Sequence, residues 1–450
     1  MPPVPYAWAA EARALGGISA SVTLTMLAQL AMSAVETLVV ARLGVPELAG
    51  VTLALGVQLL VFLFSLGVVT ALTPLVAAAR GRGHERAVRL FGQHGLWVGL
   101  TFSVPGALLL LACRDPLAAL IGQGVEADSA AAYLAGAALG LPAWVAYVAA
   151  RSFAVATGEV RAATFAMAAA IPVHAALTPW LTFGGAFLPP LGAFGAGLAY
   201  AVTGYVALAL LVAAVRILPG GALRRVLQGP FVWDSPCYLE ILRLGLPFAC
   251  RIVLREGVMP AAAFLIAPFG ASAIAAHGVA ARIVDLCGTF SFGFSDAANA
   301  RVGHALGAGA RHQARHSAWI AVQLAALVGA AMAVLLLAAP LPIVRAVLGD
   351  ADPADLQAVA ALLPLAAGLL FLEGVMSAAS GALSGLRDAR GPLLIAVVGS
   401  WVIGLPAGFV LASLTAAPAI GLWCGMLAGA GITTGLYLLR LRMKLRTGHA

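Results

Sequence analysis

The sequence predicts an all-α integral membrane protein whose twelve transmembrane helices form two pseudo-symmetric six-helix bundles around a central cleft. Three observations predict it. Of the 450 residues, 62% are hydrophobic and 10% charged, with a mean hydropathy of +1.00; an ordinary soluble domain is roughly 25% charged. Apolar runs of the length that crosses a hydrocarbon core, about 20 residues, follow one another almost end to end. The charges are also one-sided. With both termini cytoplasmic, only Arg42, Arg114 and Arg345 of the 26 Lys and Arg fall in opposite loops, and Arg251, Arg255 and Arg282 fall inside spans. The rest lie on the cytoplasmic side, the bias that fixes orientation.

The spans follow in order. The first, 15–41, is long enough to cross and lacks a short apolar core followed by a cleavage site, so it serves as its own insertion signal. It carries Gln29, Ser33 and Glu36 at i, i+4 and i+7, on one face. The second, 48–78, ends at a basic turn with Gly81 and Gly83. Next come 89–113, then 129–151 with Pro142, then 160–185 with Pro172, His174 and Pro179, then 191–216. Residues 217–240, basic and carrying Gly220, Gly221, Pro230 and Pro236, are too polar to cross. They read as a cytoplasmic linker between an N-terminal lobe, 1–216, and a C-terminal lobe, 241–450. The seventh span, 241–268, sets Arg251 and Arg255 on one face with Glu256 beside them, and the eighth, 273–300, aligns Arg282, Asp285, Thr289 and Asp296. After 313–340, the tenth, 354–383, carries Glu373, Ser377 and Ser380 with Ser384 just beyond; 391–413 and 418–439 complete the set. Pro142, Pro172, Pro179, Pro247, Pro260, Pro364 and Pro406 are expected inside helices, where each frees a carbonyl and can bend its helix.

The two halves repeat. At an offset of 226 residues Gly44 falls on Gly270, and Gly81 and Gly83 fall on Gly307 and Gly309. Six helices per half is an even number, so both halves enter the membrane from the same side, the organisation of transporters that work by alternating access.

Intramembrane charges cost roughly 2.5 to 3.5 kcal/mol each on insertion scales, so their presence needs a reason. Burial disfavours the charged form of a carboxylate, which makes Glu36 and Glu373 candidate proton carriers; a sodium ion would use the same oxygens. The structural alternative is pairing with a nearby Ser, Thr or backbone carbonyl. Arg255 is expected to be ion-paired with Glu256, Asp285 or Glu373, or, left unpaired, to favour an anionic substrate. His174, in an apolar run, is either a satisfied core residue or a ligand. The five cysteines show neither metal-ligand spacing nor a disulfide framework. No HExxH, Asp-rich diphosphate motif or paired loop carboxylates indicate an enzyme. The net charge of +8 is accounted for by basic loops facing anionic lipid, without nucleic acid.

The runs AQLAMSAVETLVVARLG, ALTPLVAAARGRG, LGLPFA, AAHGVAARI, RVGHALGAG and SGALSGLRDARGP resemble the multidrug and toxic compound extrusion (MATE) transporters, most closely their NorM-type bacterial branch. The resemblance implies export of organic, often cationic, compounds in exchange for sodium ions or protons. The family's first-helix acid falls on Glu36 and its tenth-helix acid on Glu373, both Glu where the branch usually has Asp. Its seventh-helix acid falls on Arg255, with Glu256 one position on. Its two fifth-helix asparagines fall on His174 and Thr178, and the arginine of its motif after the tenth helix on Ser384.

The expected function is therefore a secondary antiporter, not an enzyme, exporting amphipathic organic cations in exchange for H+ or Na+. Glu36, Gln29, Ser33 and His174 would serve in one lobe and Glu373, Ser377, Glu256, Asp285 and Arg255 in the other. No cofactor is expected, and sodium at Glu373 is the one metal considered. Its partners would be small organic solutes and membrane lipid, with no obligate protein partner. The Ala and Arg bias with a single Lys points to a high-GC bacterium and its inner membrane. The alternative is an exporter or flippase of an anionic or lipid-linked substrate that uses Arg251, Arg255 and Arg282.

Overall fold

Helices account for nearly all regular structure. The computed structural model describes residues 8–447 except 123, 186, 218–220, 229, 231 and 349–351. Among these the only strand-like pairing is an isolated bridge between Gly185 and Leu188. The chain runs through α1 (Trp8–Val40), α2 (Val45–Val69), α3 (Leu72–Gly81), α4 (Glu85–Ile121), α5 (Val125–Ala138), α6 (Leu141–Thr157), α7 (Val160–Phe183), α8 (Gly192–Ile217) and α9 (Ala222–Gln228). It continues through α10 (Ser235–Glu256), α11 (Val258–Ile266), α12 (Ala271–Gly307), α13 (Arg311–Ala338), α14 (Pro340–Leu348), α15 (Pro353–Gly385), α16 (Arg390–Ala396), α17 (Leu405–Leu414) and α18 (Pro418–Thr447). Among the described residues eleven segments are long and apolar enough to cross a membrane, and α5 with α6, bent by 48°, makes a twelfth.

Each expected span is met by a helix, but the helices outrun their apolar windows. α4 has 37 residues against an apolar window of 89–113, because hydropathy reports hydrocarbon thickness and not where hydrogen bonding stops. One proline differs from expectation. Pro142 stands in the first turn of α6, at the 48° bend, where a missing N–H removes no helical bond. Pro406 of α17 follows without a break from a π-helical stretch, Val397–Gly404, inside the segment Arg390–Leu414, and Pro260 of α11 lies inside Ser235–Phe269. Pro172, Pro179, Pro247 and Pro364 also lie inside helices.

The chain divides into two compact units, Leu24–Ala249 and Cys250–Ala450 with Met1–Thr23. Lipid tails give helices no hydrophobic reason to associate, so close contact between small residues must hold them. In the first unit α5 meets α8 where a Cβ on Gly197 would lie 2.4 Å from the Tyr133 carbonyl oxygen. In the second, a Cβ on Gly425 of α18 would lie 2.1 Å from the Gly408 nitrogen of α17. The core of α12, α13 and α15 is likewise alanine-rich, with Ala297, Ala298, Ala321, Ala325, Ala378 and Ala382 buried. Large side chains such as Leu108, Phe165, Leu327 and Leu394 are exposed instead, as a lipid solvent allows.

The stretch after α8 packs on the first unit. The Ala222 N–H donates to Glu159 Oε1 at 2.7 Å, Gln93 Nε2 donates to the Pro230 carbonyl at 3.1 Å, and the Asp234 N–H donates to His94 Nε2 at 2.9 Å. In the second unit Glu11, 2% exposed, joins three helices: Arg301 Nε of α12 donates to Oε1 at 2.9 Å and Ser317 Oγ of α13 donates to it at 2.6 Å.

Candidate functional site

Among its described residues the first unit buries one carboxyl group in its core. Glu36 of α1 is 3% exposed and shares its face with the buried Met32 and Val40, one turn to either side. Tyr133 of α5 and Tyr200 of α8 stand around it, and Gln58 of α2 stands beside Tyr200. Glu36 Oε1 and Gln58 Oε1 are buried without a hydrogen-bond partner among the described residues, and the Tyr133 hydroxyl faces the Glu36 carboxyl. His174 of α7, buried too, lies against the Met32 backbone. The Thr203 hydroxyl lies 2.7 Å from the Ala199 carbonyl and 3.1 Å from His174 Nδ1. Thr178, which the resemblance pairs with His174, is buried and donates to the His174 carbonyl at 2.7 Å.

Of the expected stripe on α1, only Glu36 reaches this core. Ser33 is exposed and Gln29 half-buried, so i, i+4, i+7 spacing gathers the three on one flank without giving them one environment. Tyr133, Tyr200 and Gln58 were not anticipated; a phenol or amide inside an apolar run was the available signal.

The second unit gathers charge around Arg255 at the end of α10. Its Nε lies 3.1 Å from Glu256 Oε1 and its Nη2 3.5 Å from Glu373 Oε1 of α15, while Cζ sits 4.8 Å above the Phe292 ring of α12. Two of the three partners expected for Arg255 are thus in ion-pair contact. Asp285 and Arg282 of α12 adjoin this cluster at exposed positions. Gly288 leaves room for Glu373, since a Cβ there would come within 3.3 Å of Oε2. The guanidinium is attracted by the two carboxylates and by the ring face.

One turn back, Arg251 donates to the Ser380 hydroxyl. Ser377 is buried with its Oγ unpartnered among the described residues, and Ser384 Oγ donates to the Ser380 carbonyl at 2.9 Å. The motif after α15 is a clamp. Asp388 accepts from Arg440 Nε of α18 at 2.5 Å and from the Gly391 N–H at 3.3 Å. A Cβ on Gly391 would meet the Arg440 guanidinium, so a larger residue there would push the arginine away from Asp388. Among the described residues no three His, Cys, Asp or Glu side chains are placed to hold a metal ion.

Comparison with known proteins agrees with this architecture. The MatE family model matches residues 22–180 and 247–410. A protein of Bradyrhizobium diazoefficiens called "Probable multidrug resistance protein NorM" is 33% identical over 94% of this chain and 91% of its own length. One of the same name from Rhodopseudomonas palustris is 34% identical over 99% of this chain and 94% of its own length. The solved structure of the Vibrio cholerae MATE transporter VcmN in the bent form superposes with a TM-score of 0.87 at 19% identity, covering 98% of each chain.

Proposed function

The chain belongs to the MatE family and is a multi-pass membrane transporter, not an enzyme; from that premise we propose that it exports amphipathic organic cations in exchange for protons, with Glu36 as the group that carries the proton. The observation that carries this is the buried Glu36 carboxyl with one oxygen unpartnered among the described residues. An unpaired buried charge is costly, and a proton removes it; loss of that proton restores a negative group on which a cation can bind. Tyr133 and Tyr200, the latter beside Gln58, supply a polar lining that tolerates both forms.

Protons are preferred to sodium because Arg255 already lies against Glu373 and Glu256, the acids that would otherwise face a metal ion. The same pairing leaves the alternative, an anionic or lipid-linked substrate, with less to rest on, since Arg255 is neutralised by neighbours and Arg251 is engaged with Ser380. Lobes of residues 1–216 and 241–450, joined by 217–240, would expose the solute to the two faces of a bacterial inner membrane alternately, with both termini cytoplasmic. No cofactor enters this scheme.

Efflux of ethidium from vesicles containing the purified protein, with a pH or a sodium gradient imposed separately, tests the proposal. Efflux driven by the pH gradient alone is expected. Efflux driven only by sodium would overturn the proton assignment, and none under either would turn attention to anionic solutes.

A further inference from the structure

The second unit carries a basic cavity that transport, as described above, leaves unused. It opens to the surface, measures about 280 Å³ and is lined by Arg315 and Trp319 of α13 and by Arg442, Leu445 and Arg446 of α18, the three arginines being exposed. None of the three arginines has an ion pair with an acid among the described residues. Arg442 and Arg446 stand at i and i+4, where like charges repel, and Arg315 brings a third charge from the neighbouring helix. Basic residues in the last turn of α18 complement its carbonyls. That accounts for Arg446, in the last turn of α18, but not for its convergence with Arg442 and with Arg315 near the positive end of the α13 dipole. A bound anion relieves the repulsion and accepts charge-assisted hydrogen bonds from the guanidiniums.

The surroundings indicate which anion. Trp319 lines the cavity, and the exposed Trp8 lies about one turn along α13, its Nε1 donating to Gln323 Oε1 at 3.5 Å. Indoles grouped at one level mark a membrane interface. Away from the cavity, α18 exposes Leu439, Leu436 and Ile432 in succession below Met443, at i, i+3 and i+4 spacings that form one apolar track. The volume is near the lower end, about 300 Å³, of ligand pockets, enough for a headgroup phosphate while acyl chains lie outside on the helix.

We infer that this cavity binds the phosphodiester of an anionic glycerophospholipid, with Arg315, Arg442 and Arg446 on the phosphate and an acyl chain along Leu439 and Leu436. The site is independent of the coupling ion and the exported solute.

Native mass spectrometry of the full chain, with phosphatidylglycerol, phosphatidylcholine or inorganic phosphate added to the detergent solution, tests it. The wild type should retain one phosphatidylglycerol about tenfold or more in preference to phosphatidylcholine, and equimolar inorganic phosphate should not displace it. The R315Q/R442Q/R446Q variant should lose the preference, whereas R80Q/R82Q/R86Q, altered at basic positions of the first unit, should keep it. Equal retention by the two variants overturns the site, and displacement by inorganic phosphate overturns the lipid as its ligand. Should the triple variant aggregate, R442Q alone is measured: a reduced preference supports the site and an unchanged one overturns it.

Discussion

At the scale of single residues, two carboxyl groups that look alike in the sequence have different surroundings. Glu36 stands against two phenols, Tyr133 and Tyr200, whereas Glu373 shares Arg255 with Glu256. Glu36→Gln should therefore reduce ethidium efflux to background while the purified protein still elutes as a single folded species. Glu373→Gln should reduce it less, because Glu256 continues to hold Arg255; equal loss in the two variants, read in the same vesicle assay, would contradict this ranking. The carboxyls themselves were legible, since a charge in an apolar run stands out whatever the fold. Their environments were not, because Tyr133 and Tyr200 reach Glu36 from two other helices, and hydropathy carries no information on which helices meet. Glu256 could be named for Arg255 because it is adjacent in sequence, and Glu373 only as one acid among several.

At the scale of elements, small residues decide which helices touch. A Cβ on Gly425 would lie 2.1 Å from the Gly408 nitrogen, a backbone atom that cannot step aside alone, so Gly425→Ala should cost about 1–3 kcal/mol as overpacking, read as a lowered Tm in detergent. Gly435, with nothing near its would-be Cβ, is the control on the same helix, and Gly435→Ala should leave Tm unchanged or raised. A second prediction concerns the start of α1. Glu11→Ala leaves Arg301 and Ser317 without their shared acceptor and should cost about 1–3 kcal/mol, measurable in the same melt; an unchanged Tm would show that the network contributes nothing net. Span number and order were legible because crossing a bilayer demands about 20 apolar residues. Glu11 was missed for the complementary reason: it lies in the part of α1 that precedes the apolar window.

At the scale of the whole molecule, the placement of arginines and the repeat at 226 residues were sufficient to propose topology and two lobes. The π-helical stretch before Pro406, the bend at Pro142 and the basic cavity between α13 and α18 were not legible, because they depend on how helices meet and not on their composition. A green fluorescent protein fused after Ala450 should fluoresce and a periplasmic phosphatase fused there should be inactive; the reverse pattern would overturn the cytoplasmic placement of the C-terminus. The account centres on exchange of a proton at Glu36 for an organic cation. Its most direct test is to add ethidium to one side of sealed proteoliposomes without any imposed gradient and follow internal pH with a trapped dye. Proton movement opposite to ethidium in the wild type, absent in Glu36→Gln, is the predicted result; ethidium movement with no pH change, or an undiminished change in Glu36→Gln, would contradict it.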